Sequence, residues 1–254
     1  MQDTMQFAHE KLTVYHKILA FIGSAEHWLK AWNRKHAFVD HLSRASESIL
    51  SNLVQAVRLR SGPGKQRSAD YAVGSAMECG ACMDIACMKG LLTADEANAG
   101  KAQLVEIVKM LIGLRKSWEA TCITEGRPLY GDESDLGSVA IVFQHESLDG
   151  YQFALRFYRW FLAQEVSQSL AGAFERRIDK FATCILLNVA EGNGRFSVLD
   201  RRVFLDTANS AAAKAAAYLD VGAQRGIWAE QDTREPKTLL VRIGRMTARR
   251  EYGE

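Results

Sequence analysis

Apolar residues recur every three or four positions along most of this chain, which is the spacing of one face of an α-helix. Two such runs are Leu12, Tyr15, Leu19 and Ile22, and then Leu42, Ala45, Ile49, Leu53 and Ala56. The three prolines lie far apart, which leaves room for long helices, and no convincing strand alternation appears. The pattern therefore predicts an all-α fold.

Turn and capping signals divide the first half into four helices. A third helix is expected from about Ser68 to Lys89, and Gly90 stands where a helix commonly ends in the left-handed conformation. Thr93 and Glu96 have the spacing of a capping box, which predicts the start of a fourth helix. The second half is expected to form helices at about 146–168, 172–191, 197–225 and 233–252.

The sequence repeats itself without a gap at a constant offset (145 − 9 = 136). The matching pairs include Phe7 and Phe143, His9 and His145, Glu10 and Glu146, Tyr15 and Tyr151, Asn52 and Asn188, Asp84 and Asp220, and Gly90 and Gly226. One register held over this length indicates duplication, and it predicts two tandem antiparallel four-helix bundles. The predicted domains are a divergent copy at 1–118, an acidic linker at 119–142 and a second copy at 143–254.

Composition narrows the class of protein. The net charge of +2 is too small to mark a dedicated nucleic-acid binder, although both halves are mildly basic. The odd number of cysteines, five, fits reduced thiols better than a disulfide scaffold. Neither a signal peptide nor a membrane span is expected, so the predicted location is the cytoplasm, with no membrane partner.

The second half contains a polar motif at the predicted end of its second helix. The motif consists of Asn188-Val189-Ala190-Glu191-Gly192, then Gly194-Arg195, Ser197, Asp200, Phe204-Leu205, Ala208 and Ser210. It resembles the signature of a four-helix-bundle family that includes proteins encoded in 23S ribosomal RNA intervening sequences. That family also includes the accessory variability determinant of diversity-generating retroelements. The resemblance implies antiparallel bundles, often in ring-shaped oligomers, and a link to RNA and reverse transcriptase.

The residues of the motif also have an architectural interpretation. Glu191 and Arg195 are four positions apart, as in a helical ion pair, and Asn188 is expected to satisfy a neighbouring polar group. Gly192 and Gly194 are expected to let the chain leave the helix through left-handed angles. Direct binding by Asn188, Glu191 and Arg195 stays open as the alternative. The first half lacks the acid and the glycine, which puts a simple ring in doubt.

Candidate chemistry is sparse. Cys79, Cys82 and Cys87 lie on one predicted helix and lack a fourth ligand, so core packing is favoured over a zinc site. The repeated His-Glu pairs, His9-Glu10 and His145-Glu146, are better explained by capping at helix starts than by general-base catalysis. We therefore expect no enzyme activity, no catalytic residue, no cofactor and no metal.

Arginines provide the better functional lead. The nucleic-acid-binding candidates are Arg195, Arg201, Arg202, Arg242, Arg245, Arg249 and Arg250. Among them, Arg242, Arg245 and Arg249 share one face of the last helix, and the guanidinium fork suits phosphate. A solvated charged face is the alternative interpretation of the same pattern.

The first helix of the second half has a second apolar face. It consists of Phe153, Phe157, Trp160 and Phe161, in addition to the core stripe. Because a surface helix needs only one apolar stripe, this face is expected to pack on the first half, on another protein or on a second copy. The combined hypothesis is a non-catalytic adaptor of an RNA- or reverse-transcriptase-associated complex, in a bacterial mobile-element or defence setting. The alternative is a protein–protein interaction scaffold without nucleic-acid contact.

Overall fold

A computed structural model of the chain describes residues 7–33, 35–59, 62–119, 143–164 and 168–249. Within these ranges the chain forms eight α-helices and no strand. The helices are α1 Thr13–Ala31, α2 Ala37–Arg58, α3 Pro63–Met88, α4 Ala94–Glu119, α5 Asp149–Leu162, α6 Gln168–Asn193, α7 Val198–Gln224 and α8 Arg234–Arg249. The prediction of an all-α fold is confirmed, whereas the tandem-bundle arrangement stays a prediction.

Helix contacts follow the same order in each half. In the first half, α1 packs on α2 and α4, and α3 packs on α2 and α4. In the second half, α5 packs on α6 and α8, and α7 packs on α6 and α8. A short 3-10 turn precedes each half's first helix, at Ala8–Lys11 and Gln144–Ser147.

The two halves meet where α3 packs on α6, with a smaller contact between α2 and α6. Helix α3 is buried along nearly its whole length, because the first half covers one side and the second half covers another. Met77 of α3, Phe143 and Leu186 of α6 belong to one cluster of buried apolar side chains. We call the region between α3 and α6, with the turn before α5, the junction.

The helix ends follow the sequence signals in most places. Gly90 and Gly226 adopt positive φ angles of 67° and 66°. The Thr93 amide donates to the Glu96 carboxylate at 2.8 Å, and the Glu96 amide donates to the Thr93 hydroxyl at 3.2 Å, which confirms the capping box. Helix α3 starts at Pro63 rather than near Ser68, since proline suits the first turn of a helix.

The prediction for two glycines of the motif is wrong. Gly192 lies inside α6, and neither Gly192 nor Gly194 has a positive φ. A Cβ on Gly192 would lie 3.1 Å from the Cβ of Phe204, so this glycine allows α6 and α7 to approach closely.

The predicted linker core, residues 120–142, lies outside the described residues. Among the described helices, none has both the length and the apolar composition needed to cross a membrane.

Candidate functional site

A cleft of about 390 Å³ opens at the junction beside the polar motif of the second half. Its wall combines residues of both halves, namely Ser48, Asn52, Tyr71, Ser75, Glu78, Glu191, Arg195, Asp200 and Phe204, together with Arg44, Ala45 and Val203. The motif residues Glu191, Arg195, Asp200 and Phe204 therefore meet side chains from α2 and α3. The sequence alone did not indicate this meeting, because the partners lie more than a hundred positions away.

Arg195 lines the cleft and is only 6% exposed. Its guanidinium group lies 4.5 Å from the ring centroid of Tyr71 and 4.7 Å from that of Phe204. It also forms an ion pair with Glu191, as the spacing of four predicted. Its Nε and Nη1 atoms have no hydrogen-bond partner among the described residues. Aromatic faces therefore take the place of solvent around this charge.

Glu191 is the titratable group of the cleft. Burial raises the pKa of its carboxyl to about 7, and the nearby Glu78 carboxylate adds to the rise, while Arg195 opposes it. Glu78 in turn lies 2.9 Å from Nδ1 of His41. Two carboxylates and two basic groups are thus coupled across the junction, and the charge state of Glu191 changes near neutral pH.

Neutral polar groups line the floor of the cleft. The hydroxyl groups of Ser48 and Ser75 lie 2.8 Å apart, and the side-chain amide of Asn52 donates to the Ser48 carbonyl at 2.9 Å. Asn188, the motif residue equivalent to Asn52, donates in the same way to the Cys184 carbonyl at 2.8 Å. Asn188 thus has the local hydrogen-bonding role that the sequence predicts, and Asn52 has the same role.

A second ionic cluster lies at the other end of the junction. Nζ of Lys101 donates to Asp84 at 2.5 Å and to Glu146 at 2.7 Å, and the Tyr151 hydroxyl donates to Asp84 at 2.8 Å. Burial opposes the charge of Lys101, but Asp84 and Glu146 more than compensate, so the pKa of Lys101 is raised. The cluster links a lysine and an acid of the first half to an acid and a phenol of the second.

The same cluster contains the set of side chains best suited to a metal ion among the described residues. Ligand atoms of Asp84, His145 and Glu146 lie within 4.8 Å of one another. However, the Lys101 ammonium group already bridges the two carboxylates. Burial, aided by Lys101, lowers the pKa of His145 to about 3, so His145 is neutral and contributes no charge. The carboxylates are thus engaged in an ion-paired contact between the halves, whereas both ring nitrogens of His145 are buried without a hydrogen-bond partner among the described residues.

The predicted arginine candidates divide by exposure. Arg202, Arg242 and Arg245 are exposed, as a nucleic-acid contact requires. Arg195 is buried, so it is unsuited to contact a phosphate backbone at the surface. Arg201 is partly buried and donates to the Arg195 carbonyl at 2.9 Å. The side chain of Arg249 and all of Arg250 lie outside the described residues.

The predicted aromatic face lies largely inside the chain. Phe157 and Phe161 are buried, and Phe153 and Trp160 are partly buried. Trp160 contacts Trp228, with ring centroids 5.5 Å apart, so part of this face is covered by the second half itself. That these residues also contact another protein stays a prediction, and Phe157, with no exposed area, is not available for it.

The cysteines of α3 are packing residues. Cys79 and Cys82 are fully buried free thiols, and burial raises the pKa of both well above the ordinary value. A thiol held in the protonated form is a poor nucleophile and a poor metal ligand.

Comparison with known proteins gives one match. A family model described as 23S rRNA-intervening sequence protein matches residues 10–113. No curated protein and no solved structure matches the chain. The match falls on the first half, in which Gln55 and Ala56 replace Glu191 and Gly192 of the motif. The resemblance of the second half to the retroelement accessory proteins stays a prediction.

Proposed function

We propose that the chain is a non-catalytic, RNA-associated adaptor built from two four-helix bundles that arose by tandem duplication. The name of the family that matches residues 10–113 supports the association with RNA. The proposal places the protein in a nucleic-acid-handling complex of the cytoplasm, without a membrane partner.

Repeated contacts support the duplication more strongly than repeated residues do. Lys101 and Asp84 are 2.5 Å apart, and the equivalent Lys237 and Asp220 are 2.6 Å apart. The last turns of α3 and α7 close alike, because Leu91 and Ile227 each donate to the carbonyl five residues earlier at 2.9 Å. Shared ion pairs and helix ends are expected of two copies that fold in the same way.

The observation that carries the RNA proposal is the exposure of three arginines in the second half. Arg202, Arg242 and Arg245 are exposed, and none of them forms an ion pair with a carboxylate among the described residues. Arg242 lies 5.5 Å from the ring centroid of Phe153, a contact that does not use its N–H donors. Exposed guanidinium groups that are not paired with a carboxylate keep these donors available for phosphate oxygens.

The pairing of the ionisable groups at the junction supports the proposal that the protein is not an enzyme. Glu78, Glu191 and Arg195 are paired with neighbouring side chains, and the Cys79 and Cys82 thiols of α3 are buried, while Cys87 is partly buried. Groups held in this way stabilise the contact between helices.

Binding of single-stranded RNA at several salt concentrations tests the proposal. Substituting Arg202, Arg242 and Arg245 with Glu should weaken binding and reduce the slope of log K against log salt by about 2, since each lost phosphate contact removes about 0.7. Fluorescence anisotropy measures both quantities. Unchanged binding by this variant would refute the proposed surface.

A matched variant controls for net charge. Lys11, Lys30 and Lys35 are exposed lysines of the first half, and changing all three to Glu produces the same change in charge. This variant should keep most of the affinity if the arginines of the second half form the RNA contact.

A protein-binding scaffold is the second candidate, and one observation favours it. Val198, Leu199 and Val203 at the start of α7 are 63%, 71% and 63% exposed. Large apolar side chains grouped in this way are typical of a protein contact. Retention of no RNA at low salt would favour this candidate over the first.

A further inference from the structure

The second half docks on the first through three side chains that the first half also possesses. Phe143 packs against Gly80, Glu146 accepts from Lys101, and the Tyr151 hydroxyl donates to Asp84. We call Phe143, Glu146 and Tyr151 the docking residues. Their equivalents are Phe7, Glu10 and Tyr15.

The two sets of docking residues differ in exposure. Phe143 is 2% exposed because it is inserted at the junction, whereas Phe7 is 72% exposed. The polar receptor for a docking turn is also repeated, since Asp220 and Lys237 form the pair equivalent to Asp84 and Lys101. By analogy, Phe7 of a second copy would pack on α7 of the first copy. The same contact would then continue from chain to chain.

Three glycines make the contact inside the chain possible. A Cβ on Gly80 would lie 2.4 Å from the ring of Phe143, and one on Gly74 would lie 2.8 Å from the guanidinium carbon of Arg195. A Cβ on Gly194 would lie 2.7 Å from Cγ of Met77. Helices α3 and α6 approach this closely only because no side chain is present at these positions.

The positions related to the three glycines by the internal repeat all hold a residue other than glycine. Gly80 corresponds to Ala216, Gly74 to Ser210 and Gly194 to Arg58. In a contact of the same geometry between two chains, Arg58 of one chain would have to fit against the helix that bears Ser210 in the other. Leu59 and Ala213 stand in place of Arg195 and Met77, so two of the three contacts change on both sides. Two obstacles remain: the Ala216 methyl group would meet the Phe7 ring, and the Arg58 side chain would meet the backbone at Ser210, since a Cβ on Gly194 already lies 3.0 Å from the Cα of Gly74.

The charges at the equivalent surfaces are also unsuited to this contact. Inside the chain, Lys89 pairs with Asp179 at 2.5 Å, and both side chains are largely buried. The equivalents of these two residues are Arg225 and Ser43, so a second copy would offer no acid to the arginine. Burying a cation without its partner is costly.

We propose that the head-to-tail contact between the halves is made once, within each chain, and that Arg58, Ser210 and Ala216 close the equivalent surfaces to a second copy. The inference rests on the duplication part of the proposed function and not on RNA binding. Under this proposal each chain is a pair of bundles that does not assemble into a ring or a filament through this contact.

Sedimentation over a roughly hundredfold range of concentration tests the proposal without RNA. Wild type and Phe7→Ala should have the same mass at every concentration, because the surface of α7 that would receive Phe7 is closed on a second copy. A wild-type mass that exceeds the mass of Phe7→Ala would overturn the proposal. RNA affinity is not measured in this experiment, so its failure and the failure of the RNA proposal are distinguishable.

The reverse experiment restores the three glycines. The variant S43D/R58G/S210G/A216G also restores an acid opposite Arg225, and it should gain species of at least twice the 28.3 kDa chain mass at high concentration. Adding Phe7→Ala should remove these species. Circular dichroism checks that each variant remains helical. A reopened variant that sediments as the wild type does would show that these residues do not close the surface, and would overturn the proposal.

Discussion

Arg195 brings a positive charge into the junction between two aromatic rings and beside the Glu191 carboxylate. Because this side chain is only 6% exposed, Arg195 has a structural role instead of the surface contact that the sequence predicts. Glu191 has the complementary position, because burial and Glu78 both disfavour its charged form. The stability of this pair therefore depends on pH in a range where most carboxylates are fully ionised.

We expect the free energy of unfolding to fall as the pH rises from about 4.5 to about 7, because the folded protein keeps the Glu191 proton that the unfolded chain loses. The full effect of such a shift is on the order of 3 kcal/mol. Glu78→Gln removes the neighbouring charge, so it should lower the pKa of Glu191 and flatten this dependence. Urea unfolding at a series of pH values measures the slope.

Glu47→Gln is the matched control, since Glu47 is an exposed residue of α2. Its pH profile should follow that of the wild type. If Glu78→Gln also leaves the profile unchanged, the two carboxylates are not coupled in the way that the cleft geometry indicates.

Helix α3 is the element on which the whole arrangement depends. It contacts helices of its own half and α6 of the other, and glycines at 74 and 80 accommodate side chains from the second half. The equivalent helix α7 presents Ser210, Ala213 and Ala217 to solvent. One repeated element has thus become a central helix in the first half and a surface helix in the second.

Gly80→Ala should destabilise the protein by about 1–3 kcal/mol, because the new methyl group would meet the Phe143 ring in a packed region. Gly23→Ala is the matched control in helix α1, where nothing lies within 4 Å of the new Cβ. There the substitution should stabilise by about 0.5–1 kcal/mol, since alanine favours the helix. Denaturant unfolding compares the two, and stabilisation by both would contradict the packing described at the junction.

The elements were largely predictable from the sequence, whereas the junction was not. Periodicity and capping located the helices, and Gly90 and the Thr93–Glu96 pair marked their ends, because these signals act within a few residues. The sequence predicts Arg195 to be a surface arginine, since its ring partner Tyr71 lies 124 positions earlier (195 − 71 = 124) in a different half. Local patterns carry no information about such a contact.

At the scale of the whole molecule, the two halves share one core. Phe143 and Tyr151 of the second half belong to the same buried cluster as Met77 and Ile85 of the first. The ion pairs of Lys89 and Lys101 also cross the junction. Shared apolar contacts and shared ion pairs couple the stability of one half to that of the other.

We therefore expect the two halves to unfold together in urea. Trp28, Trp32 and Trp118 report on the first half, and Trp160 and Trp228 report on the second. Replacing either set with phenylalanine leaves fluorescence from one half only. The midpoints of the two variants should coincide after correction for the stability of each variant measured by circular dichroism.

Separate midpoints would mean that the junction contributes little and that each bundle folds on its own. Gly80→Ala makes the comparison sharper, because a methyl group that meets the Phe143 ring weakens the contact between the halves. In the Gly80→Ala background the urea midpoints of the two halves should differ. The midpoint of the second half should approach the value that this half would have without support from the first. If Gly80→Ala instead lowers both midpoints equally, the contact at Phe143 stabilises the fold as a whole but does not determine its cooperativity.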